Sequence, residues 1–117
     1  MKLLILGARG LLGQALLEHF ASRATVTGLD LPELDITAAD AVPQALDAMR
    51  PAVVINAAAY TKVDAAETER DVAWRVNAEG PRLLAETCAR RGILLVHIST
   101  DYVFDGRRPV PEAYVET

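Results

Sequence analysis

Four short apolar runs recur along the 117-residue chain, and between them apolar positions repeat every three or four residues. Lys2–Leu6, apolar after its first residue and ending at Gly7, has the form of a strand buried on both faces. Thr25–Leu29 is a second strand, closed by Asp30; residues 52–55 after Pro51 and residues 93–98 after Gly92 are the third and fourth. Leu12, Ala15, Leu16 and Phe20 predict a helix over 11–22. Thr37-Ala-Ala-Asp40 has the form of a capping box with Asp in place of Glu, and Val42, Leu46 and Met49 extend a helical stripe beyond it. A third helical region spans 64–91 with Asp64 as its cap and Gly92 as its stop. Gly80-Pro81 interrupts that region. Proline lacks an N–H and clashes with the preceding turn, so a kink or a break is expected there. After Thr100 the pattern gives way to Asp105-Gly106, Pro109 and Pro111, which read as loop.

Strand–helix alternation of this kind predicts an α/β fold with a parallel sheet, right-handed crossovers and helices on both faces. The expected architecture is a Rossmann-type doubly wound sheet in strand order 3-2-1-4, incomplete at the carboxyl end. Residues 1–117 form one domain in this reading. No repeat, linker or low-complexity tract interrupts it.

Composition narrows the function. With 51% hydrophobic and 24% charged residues the chain is globular rather than disordered. A chain of this length buries about 65% of its unfolded surface, so a core needs no disulfides. The lone Cys88 allows no internal bridge and argues against a thiolate zinc site. A net charge of −4 opposes a general hold on nucleic acid or anionic lipid. No apolar run approaches the roughly 20 residues of a membrane span. Arg9 and the glycines also cut the first apolar stretch too short for a signal peptide. The expectation is a soluble, cytoplasmic protein without a membrane partner.

The strongest local chemistry is Gly7-Ala8-Arg9-Gly10-Leu11-Leu12-Gly13, directly after the first strand and opening the first helix. Its spacing is G-x-x-G-x-x-G. Gly7 permits a tight turn, Gly10 lets backbone approach a pyrophosphate, and Gly13 lets the helix pack closely on the sheet. The amides around Leu11 and Leu12 then face the phosphate charges. The alternative is a glycine-rich turn that serves packing alone. Asp30, ending the second strand, suits the ribose hydroxyls and repels a 2′-phosphate, or else simply shapes the turn before Leu31-Pro32. Arg9 pulls the other way, since a guanidinium pairs with phosphate. Both NAD(H) and NADP(H) therefore remain candidates.

Asp35, followed by Ile36, either bonds an adenine amino group or shapes the turn before the next helix. Asn56-Ala57-Ala58-Ala59-Tyr60 puts small side chains at the carboxyl end of the third strand, where they leave room for a ligand or for close helix packing. Ser99-Thr100-Asp101-Tyr102 ends the fourth strand in the same way. A hydroxyl there stabilises charge on a substrate carbonyl, or belongs to an ordinary turn. His97, within an apolar strand, is a core or edge histidine before it is a base. The acidic cluster Asp64, Glu67, Glu69 and Asp71 contains no histidine and reads as a solvated helix start rather than a metal site.

Taken together these motifs resemble the extended short-chain dehydrogenase/reductase superfamily, and within it the dTDP-4-dehydrorhamnose reductase family. The resemblance rests on the glycine turn, the segment from Asn56 through Tyr60-Thr61 with Val63-Asp64 and Ala66-Glu67, the Val76-Asn77-Ala78 step, and the run from Ser99 through Asp105-Gly106. It implies that Gly7, Gly10 and Gly13 line the pyrophosphate, and that Ala57, Ala58 and Ala59 pass beside the adenosine and ribose with Tyr60 towards the nicotinamide. Asn77 takes a structural position on the long helix. Thr100 becomes the hydroxyl member of the catalytic set, and Asp101, Tyr102 and Val103 help form the pocket for a dTDP-sugar. The implied reaction is NAD(P)H-dependent reduction of the C4 keto group of dTDP-4-dehydro-L-rhamnose.

One departure limits this. The family's acid is a Tyr in a Tyr-x-x-x-Lys helix, and lysine occurs here only at 2 and 62, so no tyrosine has a lysine four residues later. The chain therefore reads as the amino-terminal, cofactor-binding part of a reductase, inactive by itself, with an apolar fourth strand exposed to homo-oligomer formation. The competing expectation is a regulatory module without turnover, like the methionine adenosyltransferase beta subunit.

Overall fold

The computed structural model describes residues 1–100 and 104–115. Its centre is β1 (Lys2–Leu6), which pairs in parallel with β2 (Thr25–Leu29) on one side and β3 (Val53–Asn56) on the other; β4 (Leu94–His97) pairs with β3. Leu3 stands opposite both Val26 and Val53, and Ile5 opposite both Gly28 and Ile55. Flanked on both edges and covered on both faces, β1 can be apolar at consecutive positions. Leu3 and Ile5 pack towards α1 (Leu11–Phe20), against Leu16, Leu17 and Phe20, while Leu4 and Leu6 face α2 (Ala41–Met49) and α5 (Gly80–Arg91) through Val42, Leu46, Leu84 and Cys88. Each such buried side chain stabilises the fold by about 1.5–3 kcal/mol relative to exposure.

The strand order is 2-1-3-4, not the expected 3-2-1-4. Crossover handedness explains the difference. A right-handed connection that moves one way along the sheet lays its helix on one face, and a connection moving the other way uses the opposite face. Order 3-2-1-4 would put α1 and α2 on the same face. Instead α2 shares its core with α5, opposite α1, so the chain reverses direction after β2 and passes over β1 to form β3. The reversal opens a crevice beyond the carboxyl ends of β1 and β3.

Helix boundaries show local chemistry at work. Thr37 does not cap α2: its hydroxyl and its amide both donate to Asp35 Oδ1, at 2.6 and 2.9 Å, which commits it backward. The helix begins later, after Asp40, without a side-chain cap bond. The long helical region is broken into α3 (Val63–Ala66), α4 (Arg70–Trp74), a π-helical segment (Arg75–Glu79) and α5. Lys62, not Asp64, holds the first capping position, and Asp64 lies in the first turn. The break expected at Gly80-Pro81 is where the π segment gives way to α5, whose first turn tolerates a proline without an N–H. Among the described residues no helix is long and apolar enough to cross a membrane.

β4 is an edge strand with one covered face. Leu95 joins the α2–α5 core, whereas Leu94, Val96 and Ile98 are exposed. Across that core the helices are joined by a two-bond ion pair: Arg91 Nε and Nη2 donate to Asp47 Oδ1 and Oδ2 at 2.7 and 2.8 Å. The guanidinium bond holds the Asp47 carboxyl below its usual range and raises that of Arg91. A carboxyl lowered by folding stabilises at pH values above its unfolded range, and that contribution is lost as pH falls through the folded value. Asp47→Asn should therefore lower Tm at pH 7, and the deficit should close as the pH is taken below about 4. A deficit that stays constant over that interval would contradict the pairing.

Candidate functional site

The chain leaves β1 through Gly7 at φ 74°, a left-handed conformation that side-chain-bearing residues rarely adopt. A Cβ there would lie 2.6 Å from Ala58 N, so the turn also touches the segment after β3. Gly13 is packed as tightly, with a Cβ falling 2.0 Å from Gly7 O. Gly10 differs. A Cβ on it would approach only Gly7 O, at 3.3 Å, so the space over the turn is open. Gly10 is also the residue before α1 and supplies no capping side chain. A helix start leaves its first amides without intrahelical partners, and here they belong to the stretch from Leu11 to Gly13. Such a cradle fits a phosphate in both shape and charge.

Beside the turn, Asp30 ends β2 and accepts one backbone amide on each oxygen: Arg9 N on Oδ2 and Leu31 N on Oδ1, both at 2.8 Å. The carboxylate thereby pins the glycine turn to the β2 loop, while lone pairs on both oxygens stay available to a ligand. The Arg9 side chain does not point into the crevice. Its guanidinium donates to Leu31 O and pairs with Glu33, while Gln14 Nε2 donates to Arg9 O at 2.7 Å.

A cavity of about 440 Å³ lies against these residues. Of the positions expected from sequence, Gly7, Gly10, Leu11, Leu12, Gly13, Asp30, Asp35, Ile36, Ala57, Ala58 and Ala59 line it. Arg9 and Tyr60 do not. Asp35 spends Oδ1 on Thr37, and its other oxygen accepts no hydrogen bond among the described residues. Leu29, Leu31, Leu34, Thr61 and Val76 also line the cavity: Leu29 is legible only as the end of a strand and Thr61 and Val76 only as parts of the resemblance, while Leu31 and Leu34 in the β2 loop have no site signal in sequence.

The wall formed by residues 57–59 is held from behind. Asn56 is fully buried; its Oδ1 accepts from Ala58 N at 3.1 Å, so its Nδ2 faces His97 Nδ1, also at 3.1 Å. The amide must donate there, which makes His97 Nδ1 an acceptor and leaves the ring proton on Nε2. His97 thus ties the edge strand to the cavity wall. Asn77, in the π segment, clamps the backbone of Tyr60 with two bonds: it accepts from Tyr60 N at 2.8 Å and donates to Tyr60 O at 3.1 Å. The Tyr60 hydroxyl donates to Glu69, and this bond to a carboxylate raises the phenol's pKa above its ordinary value, with burial adding to the effect. A π-helical turn at a ligand-binding edge is a recurrent arrangement.

Tyr114 is engaged elsewhere, donating to Asp105, accepting from Arg108 N and stacking on Phe104. Burial pushes the Cys88 thiol up despite Arg91. No group of acids, histidines and cysteines able to hold a metal occurs among the described residues. Thr100 follows β4 on the exposed side of the chain and is not part of the cavity lining; Asp101, Tyr102 and Val103 lie outside the described residues.

The parallel sheet, its reversal and the glycine turn define a Rossmann-type domain. The chain belongs to the RmlD substrate binding domain family, whose model matches residues 1–117. It is 49% identical over 107 residues to a dTDP-4-dehydrorhamnose reductase from Aggregatibacter actinomycetemcomitans, covering 90% of this chain and 36% of that protein. Among solved structures it superposes on a dTDP-4-dehydrorhamnose reductase from Clostridium acetobutylicum with a TM-score of 0.90 at 42% identity, over 96% of this chain and 40% of that one. The corresponding enzyme from Bacillus anthracis, solved in complex with NADP, gives 0.87 at 45% identity over 92% of this chain and 39% of that one. The chain thus spans well under half the length of these relatives.

Asn56 supplies a buried side-chain bridge behind the wall. Asn56→Leu keeps the branched skeleton but, besides adding bulk, strands the Ala58 amide, and that loss alone should cost about 1–3 kcal/mol of stability. Urea unfolding checks this, and an unchanged midpoint would contradict the bridge.

Proposed function

We propose that this chain is the dinucleotide-binding part of a reductase that converts the C4 keto group of dTDP-4-dehydro-L-rhamnose to the alcohol. The observation that carries the first half is the cavity bounded by the open glycine turn, the Asp30 carboxylate and the small side chains of residues 57–59. The second half is supported by family membership and by the names of relatives that share nearly the whole of this chain.

In this reading the amides from Leu11 to Gly13 receive the pyrophosphate, Gly10 admits it by having no side chain, and Asp30 accepts the adenosine ribose hydroxyls. Asp35 and Ile36 border the adenine, and Ala57, Ala58 and Ala59 allow the cofactor to lie flat along the wall. A bound NAD(P)H supplies the hydride. Thr100 donates a hydrogen bond to the substrate oxygen as negative charge grows on it, with Asp101, Tyr102 and Val103 bordering the sugar. Tyr60 is not the proton donor: its hydroxyl is committed to Glu69, its pKa is raised, and it lies outside the cavity lining. That role belongs to a Tyr-x-x-x-Lys pair, which neither Tyr60, with Asp64 four residues later, nor Tyr102, with Gly106, forms. The partner is a soluble dTDP-sugar, and the setting is the cytoplasm.

Gly10→Val adds bulk over the phosphate cradle while clashing with little else, so the variant should fold and lose dinucleotide binding by calorimetry. Undiminished affinity in a folded Gly10→Val protein would remove the assignment. In the complete reductase Thr100→Val should slow carbonyl reduction by about 10²–10³ while leaving the fold intact, as followed by cofactor absorbance. A complete protein that binds cofactor but never oxidises it would instead be a regulatory module.

A further inference from the structure

Asp30 and Arg9 sit side by side at the corner of the cavity and favour opposite forms of the cofactor. A carboxylate accepts bonds from a free 2′-hydroxyl and repels a 2′-phosphate, while a guanidinium attracts the phosphate. The Arg9 backbone is fixed at this corner by its amide bond to Asp30 Oδ2. Its side chain is turned outward over the β2 loop, onto Leu31 O and the Glu33 carboxylate. Asp30, Glu33 and Arg9 together carry a formal charge of −1, and Arg9 is already paired with Glu33.

We propose that Glu33 is a specificity-determining residue: it competes with the ribose 2′-phosphate for Arg9 and so lowers the preference for NADP(H) over NAD(H). The inference rests on the reading of the cavity as the dinucleotide site. Arg9 and Glu33 have half-exposed side chains, 60% and 44%, so the pair is weak enough for exchange. A phosphate dianion offers the guanidinium a stronger, two-bond partner than a single carboxylate. With Glu33 in place, entry of a 2′-phosphate requires that pair to break and brings the phosphate near a second negative charge. With a bare 2′-hydroxyl neither cost arises. One exposed loop residue thus balances two cofactors that differ by one phosphate, without touching either the pyrophosphate cradle or Asp30.

The test is the ratio of dissociation constants for NADH and NADPH, measured by fluorescence titration of the 117-residue chain and its variants. Glu33→Gln should shift the ratio towards NADPH by about threefold to fivefold. Arg9→Gln should shift it towards NADH, and Glu33→Gln in that background should move it less, because the competition has lost its object. Raising salt from about 0.05 to 0.5 M should shrink the Glu33→Gln gain, since exposed charges are screened over that range. Glu33 is exposed on a loop, and Glu33→Ala serves as a second variant that removes the same charge. Binding of both dinucleotides with a ratio unmoved by Glu33→Gln and Glu33→Ala would overturn the proposal and leave the dinucleotide site standing. Failure of the unaltered chain to bind either dinucleotide would overturn both.

Discussion

A side chain at position 7 has nowhere to go. The turn after β1 runs so close to the segment after β3 that a Cβ would fall 2.6 Å from the Ala58 nitrogen, and the backbone there is left-handed. That contact fixes the distance between the first helix start and the wall formed by residues 57–59, and with it the width of the cavity. It depends in turn on β1 and β3 being neighbours in the sheet. The reversal of chain direction after β2 makes them so, which is why strand order matters more to this site than the identity of any lining residue.

Side-chain bonds complete what the backbone begins. Asp30 ties the glycine turn to the β2 loop through two amides, Asn56 ties the alanine wall to His97 on β4, and Asn77 holds Tyr60 by both backbone atoms. Asp30 lines the cavity itself, while Asn56 and Asn77 stand one residue from the lining positions Ala57 and Val76. The wall can be built from alanines because its rigidity comes from behind.

Much of this was legible in sequence. The four strands and the helices beside them follow from runs and stripes of apolar residues, and the glycine spacing marked the turn. Strand order was not legible, because periodicity tells which residues are buried but not which strands adjoin; only the shared core of α2 and α5 decides it. The apparent capping box at Thr37 does not form because the helix begins only after Asp40, and the Thr37 hydroxyl is turned back to donate to Asp35 instead of accepting a helix-start amide. Arg9 stands in the turn, as its place between Gly7 and Gly10 implies, but the direction of its side chain depends on Glu33, 24 residues away. Likewise the resemblance points Tyr60 towards the nicotinamide, while its hydroxyl is drawn off by Glu69 at the start of α4.

The most direct measurement is an NADPH titration of the isotopically labelled chain, followed through backbone amide shifts. If the open glycine turn holds the pyrophosphate, the amides from Gly10 to Gly13 and of Ala58 should move first and furthest, with Asp30 close behind, while the exposed β4 residues Leu94 and Val96 stay in place. Shifts concentrated on β4 or in the loop beyond it, with the glycine turn unmoved at saturation, would contradict a dinucleotide site at the carboxyl end of β1.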